Sequence, residues 1–222
     1  MRFLKRILPQ YSITPVFILV IIGLSTYFIT KLVTDGGGHY DVSLPIDHKI
    51  PFYPVFIIVY VLSYLQWFFG YGIIAKERKE ICYRFLSAEI IAKLISLSIF
   101  IIMPTMMVRP EITGSDIFSK LTGLIYAMDT PTNLFPSLHC LESWIILRAA
   151  FHLERHGKLY IAINAIFAVL VFASVLFVRQ HLILDIPAAI LVGEIALFIT
   201  KKWNAGTVFE KIDSHFLRKE KA

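Results

Sequence analysis

"SITPVFILVIIGLSTYFITKLV", residues 12–33, carries a single charged side chain, Lys31. A helix needs about 20 predominantly apolar residues to cross roughly 30 Å of hydrocarbon, and this stretch supplies them. It follows "MRFLKR", as a secretory signal would, but it is too long and lacks a small-x-small cleavage site, so it reads as a retained anchor. Five further stretches read the same way. With the first at 11–33, they fall at 54–75, 89–108, 139–153, 158–178 and 184–202. A chain with 57% hydrophobic residues and a mean hydropathy of +0.69 exceeds what a soluble domain carries, which places it in a bilayer. The expected fold is all-α: a polytopic membrane protein of six transmembrane helices in a bundle. Residues 1–222 form one membrane domain, with cytoplasmic tails at 1–10 and 203–222. No internal repeat, low-complexity tract or soluble domain interrupts it.

The formal charge of +6 could suggest a nucleic-acid partner. The basic residues sit instead in short blocks between apolar stretches, with no basic helix, so they read as topology signals. Lys and Arg near helix ends stay on the cytoplasmic side. Arg2, Lys5 and Arg6, then "KERKEICYR", then Arg148, Arg155 and Lys158, then the tail from Lys201 onward, all fall at one end of an up-and-down bundle. Both termini are therefore expected to be cytoplasmic in a multi-pass protein of the cell membrane. The two cysteines, Cys82 and Cys140, fall toward opposite ends and read as small packing residues rather than a disulfide.

Three polar clusters converge at the other end. "MVRPE" (107–111) closes the third stretch, "TNLFPSLHC" (132–140) opens the fourth, and "VRQHLILD" (178–185) joins the fifth to the sixth. Burying such groups without partners costs roughly 2–7 kcal/mol each, so a site is the economical reading. His181 and Asp185 are four apart and would share a helix face. The carboxylate could then hold one imidazole nitrogen and leave the other as a free lone pair, a nucleophile or base. His139 is a second imidazole, suited to protonating a leaving oxygen. Arg109 and Arg179 offer planar donors to phosphate oxygens, Ser137 a hydroxyl, and the first amides of the fourth helix, Leu138 included, a positive dipole end. Two histidines beside an anion cradle suggest phosphoryl transfer through a phosphohistidine. A hydrolytic zinc site on His139, His181 and Asp185 is a weaker alternative. A non-enzymatic anion or lipid transporter is another, although it would not need a histidine paired to an aspartate.

"PSLH" and "HLILD", preceded by "RP" at 109–110, resemble the motifs of the type 2 phosphatidic acid phosphatase superfamily. Its members carry K-x6-R-P, P-S-G-H and S-R-x5-H-x3-D. The resemblance spans roughly residues 50–202. It implies a metal-independent lipid phosphatase without cofactors, with His181 as nucleophile, Asp185 as its orienting partner and His139 as general acid. It further implies that Arg109, Ser137 and the adjoining Leu138 amide bind the phosphate. Three positions depart from the motifs: Ile102 stands for the lysine, Leu138 for the glycine and Val175 for the arginine. Arg179 is the candidate replacement for that arginine. "FPSLH" and "RQHLILD" look more like the divergent branch that includes sphingomyelin and inositol phosphorylceramide synthases. That branch discharges the phosphohistidine onto an alcohol, so a lipid phosphotransferase is the alternative to a hydrolase. The implied partner is a lipid phosphate entering from the bilayer.

Glu142, one turn after His139, is a candidate to support the site, while Glu194 should lie well below it. "QWFFGYG" and "MPTMM" read as helix packing. Residues 115–129, "SDIFSKLTGLIYAMD", read as a short amphipathic helix on the bilayer surface, with Ile117, Phe118, Leu121, Leu124 and Ile125 as its stripe.

Overall fold

The computed structural model of the chain describes residues 7–34 and 38–212. The basic residues expected in the tails at 1–6 and 213–222 lie outside that range. Among the described residues, the main α-helices run in the order α1 (Gln10–Thr34), α2 (Ile57–Lys76), α3 (Lys79–Ile102), α4 (Ile117–Met128), α5 (Leu138–Ala150), α6 (Lys158–Phe177) and α7 (Asp185–Trp203). Among the described residues no β-strand forms. Two isolated bridges, Tyr40 with Thr105 and Met106 with Thr132, tie loops together.

Among the described residues four segments are long and apolar enough to cross a membrane: Gln10–Val33, Pro54–Lys76, Lys79–Ile102 and Lys158–Phe177. The sequence reading expected six. α5 has 13 residues, about 20 Å at 1.5 Å per residue, well short of the hydrocarbon core. α7 has the length but carries Asp185, Glu194, Lys201 and Lys202.

The third helix is also displaced from its expected 89–108. It starts at Lys79, where "KERKEICYR" had read as a loop, because Lys79 finds Glu210 at 2.7 Å and its neighbour Arg78 finds Glu154 at 2.9 Å. It stops at Ile102 because Pro104 bars the preceding residue from helical geometry; Met103 sits at φ −136°, ψ 70°. Arg109 therefore lies in an extended segment beyond the helix rather than at its end.

α5 is the hub. It packs against α2, α3, α6 and α7, and its small residues Cys140, Ser143, Ala149 and Ala150 are buried and let those neighbours approach. Gly70 of α2 is part of that approach, since a Cβ there would lie 2.8 Å from Ile146. α1 packs mainly on α3 and only lightly on α2. The space left between α1 and α2 opens into a cavity of about 1160 Å³. The outer surface is broadly apolar: Phe17, Ile166, Val169 and Phe198 are all exposed. Such a surface suits lipid contact and not water.

The two ends of the bundle differ as the sequence suggested. At one end Tyr11 donates to the Glu77 carbonyl, Arg78 meets Glu154, and Arg148 meets Glu194 at 3.2 Å. At the other end lie "PTMMVRP", "FPSLH" and "VRQHLILD", joined by the 38–53 connection, whose Tyr53 amide bonds the Phe177 carbonyl at 2.9 Å.

Candidate active site

His181 is not on a helix. α6 ends at Phe177 and α7 begins at Asp185, so the expected shared helical face does not exist. The pair meets nevertheless, because Asp185 folds back over the turn. Its Oδ2 accepts the Leu182 amide at 2.8 Å and lies 3.1 Å from His181 Nδ1. His181 Nδ1 also lies 3.0 Å from the Leu134 carbonyl. A carbonyl and a carboxylate can only accept, so both bonds require the proton on Nδ1 and leave the Nε2 lone pair free.

His139 sits in the first turn of α5, buried against aromatic rings. It stacks on Tyr60 at 4.1 Å between centroids, and its Nε2 is 3.3 Å from the Tyr64 hydroxyl. Its ring centroid is 5.9 Å from that of His181. Both imidazoles line the large cavity, with Leu138, Asn133, Asp129 and Gln180 around them. Ser137 is the N-cap of α5: its Oγ accepts the Cys140 amide at 3.3 Å, and its own amide donates to the Asp185 carbonyl at 3.3 Å. The starts of α5 and α7 are thereby bonded to each other. His139, Ser137, Leu138, His181 and Asp185, five of the seven residues expected from sequence, converge.

The two arginines are placed differently. Arg109 lies one layer behind the cavity wall. It donates to the Asp129 carbonyl at 2.6 Å and to the Gln180 side chain, and it stacks on Tyr126 at 4.4 Å. Burial, opposed by Arg109, pushes the Tyr126 hydroxyl up to about 12. Arg179 turns away, donating to the backbone carbonyl of Asp47 from a residue with φ 52°. It ties the 178–185 turn to the 38–53 connection.

Several residues that hold the site were not singled out from sequence. Asp47, 1% exposed, accepts the Ile183 amide at 2.8 Å and the Leu44 amide at 2.7 Å, giving the His181 turn a second carboxylate anchor beside Asp185. Thr105, within "MPTMM", accepts the amides of Leu134 and Phe135 at 2.9 and 3.1 Å and so fixes the carbonyl that His181 uses. Asp129 lines the cavity; burial pushes its carboxyl above the usual range, and nearby Arg109, chief among its neighbours, opposes the shift. One turn below His139, Glu142, a candidate already from sequence, pairs with Lys93 of α3 at 2.5 Å, and Lys93, which was not singled out, with Glu89 at 3.3 Å. The Glu89 and Lys93 spacing of four inside an apolar stretch was the available signal. Glu194 lies away from this site, bonded to Trp144 and Arg148. Among the described residues no three or more His, Cys, Asp or Glu side chains group as metal ligands would.

No family model, curated protein or solved structure matches the chain.

Proposed function

We propose that the chain is an integral membrane enzyme that hydrolyses a lipid-linked phosphate or diphosphate through a phosphohistidine intermediate. In this reading six helices cross the membrane, both termini are cytoplasmic, the histidines face the extracytoplasmic side, and α4 rests on the bilayer surface beside them. The observation that carries it is His181, with its Nδ1 proton committed to Leu134 and Asp185 and its Nε2 free, its ring 5.9 Å from that of His139 on the lining of a cavity with largely apolar walls.

The Nε2 lone pair attacks phosphorus and the ester P–O bond breaks. The leaving oxygen takes a proton from His139, and the lipid alcohol departs. Asp185 offsets the charge gained by His181. Water then attacks the phosphohistidine and loses a proton to His139, while the P–N bond breaks and phosphate leaves. Amides at the start of α5 face the incoming anion, and Arg109 adds positive charge from behind Gln180 and Asp129. A cavity of about 1160 Å³ exceeds the roughly 300–1,000 Å³ of ordinary ligand sites, which favours a second reading in which an alcohol replaces water as acceptor.

Purified protein incubated in EDTA with a panel of lipid phosphates and diphosphates should release phosphate. With alcohols added, any new phospholipid would reveal transfer. His181→Ala should abolish both turnover and acid-labile covalent labelling. Full activity of that variant, or phosphate found on residue 139, would overturn the assignment.

A further inference from the structure

Transfer of a phosphoryl group needs hydrogen-bond donors aimed at its non-bridging oxygens. The arginines do not supply them at the cavity wall. Arg109 is held behind it, its guanidinium committed to the Asp129 carbonyl at 2.6 Å, to the Gln180 side chain and to the Tyr126 ring. Arg179 is bonded to the Asp47 carbonyl, and Val175 is apolar and fully buried. Gln180 stands where a donor is missing. It precedes His181 in the chain, and both residues line the cavity. Their backbone amides both donate to the Val175 carbonyl, at 2.9 and 3.1 Å, so one bonded turn places the two side chains. Chemistry sets the orientation of the carboxamide. A guanidinium can only donate, so Oε1 must face Arg109, and Nε2 with its two hydrogens points elsewhere. Among the described residues Nε2 has no hydrogen-bond partner, and Gln180 is only 2% exposed. A buried donor left unanswered is costly, and the bond from Arg109 to Oε1 polarises the amide and strengthens Nε2–H as a donor. Asp129 lines the same cavity, and burial, which pushes its carboxyl up, lessens its repulsion of an anion there.

We infer that Gln180, through Nε2, is the donor that touches the phosphoryl oxygens while His181 attacks, and that Arg109 acts through it as a positioning residue. This rests on the phosphoryl-transfer reading of the histidines. As the P–N bond forms and the ester P–O bond breaks, Nε2–H stabilises charge on the oxygens and gives up no proton. The work of one arginine is thereby divided. A neutral amide makes the contact, and the cation behind it decides which way the amide points. Without Arg109 the carboxamide could turn over and present its oxygen to the anion.

Gln180→Glu is the decisive variant, because it keeps the side-chain length and the acceptor that Arg109 needs and replaces only the donor with an oxygen. Purified full-length protein is assayed with lipid phosphates and, without turnover, with sodium orthovanadate, read as the rise in unfolding temperature that the anion produces. The kcat/KM of Gln180→Glu should fall about a hundred- to thousandfold, as removal of one donor from a charge-stabilising site does. Its own unfolding temperature should not drop, and the vanadate shift of native protein should disappear. Arg109→Gln should lower native activity but cost Gln180→Glu protein little more, since both changes remove the same donor. If no lipid phosphate is turned over, yet vanadate stabilises native and not Gln180→Glu protein, the donor stands and the reaction assigned to the histidines fails. If kcat/KM is unchanged, or vanadate shifts both proteins alike or neither, Gln180 is overturned as the contact even where phosphate is released. A lowered unfolding temperature with the vanadate shift intact would give Gln180 a structural role only and overturn it as well. Additive losses from the two substitutions would overturn the action of Arg109 through it.

Discussion

The two histidines differ in what holds them, and that difference sets how each should fail. His181 is oriented by Asp185 and by the Leu134 carbonyl, so Asp185→Asn should keep the packing but let the imidazole take the wrong tautomer. Turnover should then be slow with every leaving group, measured across alkyl and aryl phosphates. His139 is walled by Tyr60, Tyr64 and Trp67. If it serves as an acid, His139→Ala should recover much of its rate on an aryl phosphate, whose leaving group needs little protonation. Equal losses on alkyl and aryl substrates would remove it from that step. The arginines separate in the same way. Arg109→Lys loses the fork that spans Asp129 and Gln180, and a loss of ~1.5–3 kcal/mol would lower the rate by about one to two decades. Arg179→Lys should leave the rate nearly intact, because its partner is the Asp47 carbonyl and not the cavity. The histidines and Asp185 were legible because polar side chains stood out against apolar sequence. Asp47 and Thr105 were not, because what they hold is backbone, Asp47 from more than a hundred positions away.

Among the helices, apolar runs marked α1, α2 and α6 to within a few residues, since length and hydropathy decide those. α3 was misplaced by ten residues at its start, where "KERKE" looked like a loop. Charged residues continue a helix when ion partners lie at its mouth, and those partners, Glu154 and Glu210, come from distant parts of the chain. The end of α3 was placed at 108 instead of 102, although Pro104 carried the signal for the earlier stop. α4 was expected as a helix over 115–129, and the structure caps it with Asp116; yet the residues it buries fully are Ser119 and Thr122, while Ile117 and Leu124 stay exposed. α5 depends on close approach. Gly70→Val would place new atoms against Ile146, and overpacking of this kind costs about 1–3 kcal/mol. Its thermal unfolding in detergent should drop accordingly, while Gly72→Val, which meets nothing within 4 Å, should not shift it.

For the whole molecule, the grouping of helix ends is seen directly, whereas their side of the membrane rests on the positive residues. Cys82 and Cys140 are buried and free, so single introduced cysteines can report topology against a quiet background. A cysteine at 38–48 should react with an impermeant thiol reagent from outside intact cells, and one at 205–212 should not. The reverse pattern would put the histidines in the cytoplasm. The bonds that assemble the histidine end have a further property. Most terminate on main-chain atoms: the carbonyls of Leu134, Asp185, Asp129 and Asp47, and the amides of Leu182, Ile183, Leu134 and Phe135. A frame built this way constrains where the chain runs and says little about which letters it is spelled with. Positions 134, 138, 182 and 183 can drift among residues of similar volume while the His181 imidazole stays aimed. Lineages sharing this architecture can therefore diverge until only two histidines, an aspartate and a capping hydroxyl remain in common.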